Sequence, residues 1–244
     1  MTVRTVMYCF PHAGASALNT AAWQTRTDES IVLAGLQYPG HGHRFCEPLA
    51  ESIEAIAHGL IQALPSFEPE TTVFFGHSMG SLVAYEVCRQ LHVHQRALPR
   101  ALILSGRGSP HEPRTGIALD QLPDAELIDY LQTLGGTPPE VLADPDMCEL
   151  LIPVARADLA ACRRYRPTRG EPLSTVMFVY AGEDDDLNPQ DLMDWASCTS
   201  SSCTFRRFPG GHFYFDASPA AFWRSLTVDV VNSLPAHASC SFSA

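Results

Sequence analysis

Three side chains able to cooperate in acyl transfer stand here in a workable order. Ser78 lies in GHSMG (residues 76–80), an acidic run GEDDD follows at 182–186, and His212 closes PGGH. A serine hydroxyl is a weak nucleophile near neutral pH. It needs a base to take its proton and a carboxylate to orient that base. Serine, acid, histidine is the chain order used by α/β hydrolases, and the long gap here falls between the serine and the acid.

G-x-S-x-G alone says little, but its flanks add weight. TTVFF runs directly into it and SLVAYEVCRQL directly out, so Ser78 falls on a sharp strand-to-helix turn. Gly76 and Gly80 keep side chains away where the backbone doubles back. The helix beyond offers unpaired N–H groups and the positive end of its dipole to a developing oxyanion. The plainer alternative is a serine that only caps the helix.

The acid is one of three consecutive aspartates, Asp184, Asp185 and Asp186; counting three residues on from Gly182 selects Asp185, which leaves the other two as turn or capping residues. His212 sits in a glycine-bracketed loop after a strand, and its plainer alternative is a solvent-facing loop histidine. An oxyanion hole needs two amide donors. One is Met79, after the nucleophile, and the other is expected in CFPHAGASA (9–17), with Ala13 as donor and His12 as a polar rim residue. His41 and His43 in PGHGHRF lack a third spaced ligand, so they read as loop residues and no metal is expected.

These residues need a frame. Short β-rich, near-continuously apolar runs occupy 3–10, 31–38, 71–76, 100–105, 174–181 and 203–208, as for parallel strands buried on both faces. Helical patterns cover 49–64, 79–94, 188–196 and 218–234. The alternation predicts a mostly parallel, twisted α/β sheet flanked by helices, an α/β-hydrolase fold, in one domain over 1–244. From 110 to 170 it stops, and proline-punctuated helices without a strand read as an inserted helical lid over the carboxyl edge of the sheet.

The totals agree. The 244 residues carry a formal charge of −11, and all 16 basic residues are Arg. Without a lysine, Schiff-base and P-loop lysine chemistry is excluded, and an acidic total without a basic run speaks against nucleic acid or an anionic membrane as partner. Cysteines 9, 46, 88, 148, 162, 198, 203 and 240 form no CxxC pair, which suggests small hydrophobes in a reducing cytoplasm. MTVRTVMYCF does not read as a signal peptide, and no apolar run approaches the about 18 residues that span a bilayer.

FPHAGASA, LQYPGHGHRFCEPLAESI, FFGHSMGSLVAYEVCRQL, LSGRGSPH, LGGTPPEVLADPDM, YAGEDDDLNP and FPGGHFYF together resemble the type II, or editing, thioesterases of nonribosomal peptide and polyketide biosynthesis, from about residue 8 to 216. The resemblance implies hydrolysis of acyl or aminoacyl groups from the phosphopantetheine thiol of carrier proteins, by a monomer without a cofactor. It implies Ser78 as nucleophile, His212 as general base, Asp185 as its partner, and Ala13 and Met79 as oxyanion donors. Two departures stand out: Ala15 where the family usually has a second glycine, and LNP after the acidic run where an apolar residue is common. Carrier proteins are usually acidic around the arm, so a rim of Arg44, Arg163, Arg164 and Arg166 suits docking, against the alternative of a solvated helix face. Competing readings are a carboxylesterase or lipase acting on small oxygen esters, a silent hydrolase fold used as a binding module, and a terminal domain cut from a megasynthase. The last lacks a preceding carrier segment.

Overall fold

The computed structural model describes residues 4–111 and 117–233. Six strands, β1 Thr5–Phe10, β2 Ile31–Gly35, β3 Thr72–His77, β4 Ala101–Ser105, β5 Val176–Gly182 and β6 Cys203–Phe208, form one sheet in the order β2-β1-β3-β4-β5-β6, every pair parallel. The α-helices are α1 Leu18–Ala21, α2 Ile53–Ala63, α3 Met79–Val93, α4 Asp124–Leu134, α5 Pro139–Leu142, α6 Pro145–Arg164, α7 Pro189–Met193, α8 Tyr214–Ala217 and α9 Pro219–Asn232.

Successive strand residues point to opposite faces, so a continuous apolar run feeds two cores. Tyr8, Phe10, Phe74, Leu102, Leu104, Met177 and Val179 meet α2, α3, the end of α6 and Trp195 on one face. Met7, Cys9, Val73, Phe75, Ile103, Phe178 and Tyr180 meet α8 and α9 on the other. β3 lies inside the sheet and all its residues are buried, which makes its carboxyl end a rigid place to mount a side chain.

Between β4 and β5 the described chain is helical. Leu127, Leu131, Leu142, Ile152 and Ala155 give it a small apolar core of its own. Asp144 caps α6 by accepting from Asp146 and Met147 N–H, Pro145 fits the first turn, and Gly135 at φ +85° ends α4. Residues 112–116 of the expected insertion, like Cys240, lie outside the described residues.

Among the departures from the sequence expectation, three bear on the frame of the site. β2 stops at Gly35, not 38, because its last partner is Cys9 and the chain then turns so that buried Tyr38 donates its hydroxyl to Pro11 O at 3.0 Å. α2 starts at Ile53 rather than 49, where Ser52 accepts the Ala55 N–H. The segment after His212 begins α8, although its residues read as loop.

Candidate active site

β3 ends at His77, and Ser78 follows with φ 54° and ψ −115°, a left-handed geometry that costs a non-glycine residue on the order of 1–3 kcal/mol. The surroundings hold it there. Ser78 N–H donates to Ser105 O at 2.7 Å, while the buried Ser81 hydroxyl reaches Gly76 O at 2.8 Å and Ser105 O at 3.0 Å. A Cβ on Gly76 would lie 2.2 Å from Gly80 O, and one on Gly80 would lie 1.9 Å from Phe10 O. Only glycine lets the turn close and lets α3 press its first turn against the end of β1.

Opposite the elbow, two loops converge through a second glycine contact. A Cβ on Gly182 would lie 2.1 Å from Gly211 O, so β5 can run directly under the loop that carries His212. Glu183 and Asp184 N–H donate to Phe208 O and Gly210 O and tie the acidic turn to that loop. The result is a close pair, with His212 Nδ1–H donating to Asp185 Oδ2 at 2.9 Å and both side chains about nine-tenths buried. Asp184 and Asp186, the neighbours in the acidic run, are exposed. With Nδ1 committed, Nε2 is the nitrogen of His212 left for a reacting group. The His212 ring lies 4.8 Å from that of His77, the residue before Ser78, and Gly106 at φ +64° leaves room for both imidazoles.

His77 itself is fully enclosed. Its Nδ1 meets Ser105 Oγ at 2.8 Å, which meets the Tyr214 hydroxyl at 2.5 Å, and burial holds the imidazole well below its usual pKa. It is a neutral support under the elbow. The residue type gave no hint of this.

On the other side lies the turn after β1. The Ala13 and Met79 amides donate to no protein acceptor among the described residues, whereas Gly14 N–H donates to Asp158 Oδ2 at 2.8 Å. His12, expected as a polar rim residue, lines a cavity with Trp23, His77, Gly136 and Phe213. It is half-buried, packs edge-on against Phe213 at 5.0 Å, and desolvation lowers its pKa to about 4, so it is neutral and its Nδ1–H can donate to Ala13 O at 3.0 Å.

His41 and Asp158 also went unread as a unit. His41 is buried, with Nδ1 2.8 Å from Pro39 O and Nε2 2.8 Å from Asp158 Oδ2, both side chains 3% exposed. A carbonyl and a carboxylate both accept, so the arrangement calls for an imidazolium beside an aspartate. Burial, the largest influence, pulls the pKa of His41 down, but the bond to and the charge of Asp158, with Pro39, outweigh it and raise the pKa above its ordinary value. One signal was available: Asp158 continues the helical row of Leu151 and Ala155, an acid on a face that otherwise packs. Among the described residues no cluster of three or more His, Cys, Asp or Glu is placed to hold a metal.

Of the four arginines considered for docking, two are already engaged with carboxylates. Arg163 makes a two-pronged pair with Asp120, and Arg44 another with Glu47. Arg166 donates to the carbonyls of Arg163 and Tyr165, and Arg164 is exposed. No helix among the described residues is long and apolar enough to cross a membrane.

Comparison with known proteins places this geometry. A family model described as "Thioesterase domain" matches residues 5–225. The protein named linear gramicidin dehydrogenase LgrE, from Brevibacillus parabrevis, is 33% identical over 213 residues, 86% of this chain and 81% of that one. The crystal structure of ClbQ from the colibactin pathway superposes with a TM-score of 0.85 at 25% identity, covering 95% of this chain and 98% of the other. The type II thioesterase BorB from the borrelidin cluster gives 0.84 at 30% identity, covering 94% of each.

Proposed function

This chain belongs to the thioesterase domain family, and from that premise we propose that it is a type II thioesterase, hydrolysing acyl and aminoacyl thioesters from the phosphopantetheine arms of carrier proteins in a nonribosomal peptide or polyketide pathway. Ser78 attacks the thioester carbonyl while His212 Nε2 takes its proton. Asp185 holds the imidazole and balances its charge, and the Ala13 and Met79 amides receive the oxyanion. The thiol departs readily as a good leaving group, and His212 then activates a water that releases the acid from Ser78. The observation that carries this reading is the 2.9 Å His212–Asp185 contact beside a strained serine elbow.

The helices between β4 and β5 act as the lid that shapes the acyl site. The enzyme works as a monomer in the reducing cytoplasm. The motifs also resemble the colibactin-pathway thioesterase in particular, but 25% identity with ClbQ is matched or exceeded by BorB at 30%, so the likeness singles out no pathway. The word dehydrogenase in the name of the Brevibacillus relative is not carried over, because this chain contains no G-x-G-x-x-G and its loop after β1 reads FPHAGASA.

The test is intact mass spectrometry of carrier proteins loaded with different acyl groups, with simple oxygen esters and Ser78→Ala run alongside. Loss of the acyl mass from carriers in the wild type only is expected. Clearly faster turnover of the oxygen esters would replace carrier editing with a carboxylesterase.

A further inference from the structure

We propose that Asp158 is a positioning residue for the oxyanion hole: by holding the Gly14 amide from helix α6, it fixes the loop that presents Ala13 and makes the placement of the lid helix a condition of turnover. The inference rests on the reading of Ala13 as an oxyanion donor.

Two peptide planes flank Ala13. The first contains His12 C=O and Ala13 N–H, which point in opposite directions. Ala15 N–H takes His12 O at 3.1 Å inside the turn, so Ala13 N–H is left facing away from it. The second plane contains Ala13 C=O and Gly14 N–H. Its oxygen faces His12 Nδ1 at 3.0 Å, and its N–H is held by Asp158 Oδ2 at 2.8 Å. With both planes fixed, the direction of the Ala13 N–H is fixed as well. Release of the second plane frees the turn to rock, and an oxyanion donor that rocks loses its preorganisation.

The other end of the tie lies in the lid. Gly14, at φ +74°, sits where an added Cβ would come 3.3 Å from Leu151 Cδ1 and 3.4 Å from Ala155 Cβ. Leu151, Ala155 and Asp158 form one row along α6, so apolar contact and hydrogen bond act on the same turn from the same helix face. His41, from the loop after β2, bonds the same oxygen of Asp158 at 2.8 Å and keeps the carboxylate aimed at the turn. If α6 lifts, the contact row and the Gly14 bond break together. Coupling between an acyl-shaping lid and the oxyanion donor would hold the chemistry back until the lid is seated.

The experiment measures kcat and KM for acetyl- and octanoyl-pantetheine with wild type, Asp158→Ala, Asp158→Asn and Ser78→Ala, together with Ki for a thioether trifluoromethyl ketone, whose serine adduct places an oxyanion in the hole, and Ki for the product acid. Asp158→Ala is expected to lower kcat about 100-fold, the cost of one misplaced oxyanion donor. KM and the product Ki stay within about threefold, and the ketone Ki weakens by the same factor as kcat/KM. Asp158→Asn keeps an oxygen where both Gly14 N–H and His41 Nε2–H donate, so it recovers at least about tenfold of the loss. Should Asp158→Ala fail to fold, Asp158→Asn still decides, through matched losses in kcat/KM and ketone binding. Unchanged kcat in the Asp158 variants overturns the proposal, as does weakening of product and ketone alike. Activity that survives Ser78→Ala overturns the underlying triad instead, so the two failures read differently.

Discussion

The sheet and the helical stretch between β4 and β5 are built on different terms. Each sheet strand feeds two large apolar layers, so a shift in any strand is resisted from both faces. The helical stretch has a small core of its own, joins the main core at the end of α6, and otherwise meets the frame through separate ties: Asp158 to His41 and Gly14, the Tyr165 hydroxyl to Glu86 at 2.7 Å, and Gly136 against the ring of Phe213. Ser78, His212 and Asp185 all sit where the chain leaves the first region. The second region borders them and can move with less loss. An over-determined frame can store the strain of an elbow, and a loosely tied cover can adapt to different acyl groups.

The largest effect expected from disturbing the frame is chemical. Ser78→Ala should lower thioester turnover by on the order of 10⁴-fold or more, with a melting temperature close to wild type. Ser78→Gly should be equally inactive yet more stable by about 1 kcal/mol, because glycine accepts φ 54° without cost. A denaturant midpoint that falls in Ser78→Gly would break the view of the elbow as strain held by its surroundings.

Next in size is a pair of leucines, both fully buried. Leu104→Ala in β4 should cost about 3–5 kcal/mol in urea unfolding, since two packed layers leave little room to collapse into the cavity. Leu127→Ala in α4 should cost only about 2–3 kcal/mol, because a three-helix cluster relaxes more readily. Equal costs would erase the distinction between the regions. Smaller again is Gly136→Ala, whose Cβ would meet Phe213 Cζ at 2.1 Å at a positive φ. It should lower kcat about tenfold by nudging the residue next to His212, and lower stability by about 1–2 kcal/mol through the strained alanine.

The same division governs what the sequence revealed. The six strands were legible within a few residues because a strand buried on both faces has to be apolar along its length. The elbow was legible because strand, glycines and helix are contiguous. His212 and Asp185 could be proposed from order and from the glycines that let their loops approach, as Gly182 against Gly211 illustrates. What could not be read depends on pairing across the chain. His41 looked like a loop residue because its partner lies 117 residues away in a helix whose docking no local pattern encodes. The edge-on contact of His12 with Phe213 was not legible either, because nothing in FPHAGASA announces it.

The finest test of the comparison concerns pH at the Asp158 tie. The folded state raises the pKa of His41 above its ordinary value of about 6.5, so the pair's contribution is fully present below that value and is lost as pH rises through the raised pKa. The other titratable groups facing the pair stay silent over this range. Burial raises Tyr38, whose ring lies 5.6 Å from the imidazole, well above its usual pKa, and pushes the Cys162 thiol up to about 12. Beyond Cys162 stands the Arg107 guanidinium. Hydrogen-exchange protection factors, corrected for the intrinsic pH dependence of amide exchange, should therefore fall in α6 as pH is raised from about 6.5, while those of β3 hold. In His41→Gln the step in α6 should vanish, since the glutamine does not titrate. A step that persisted in that variant would assign the pH response of α6 to another group, and a matching fall in β3 would mean that α6 and the sheet open as one unit.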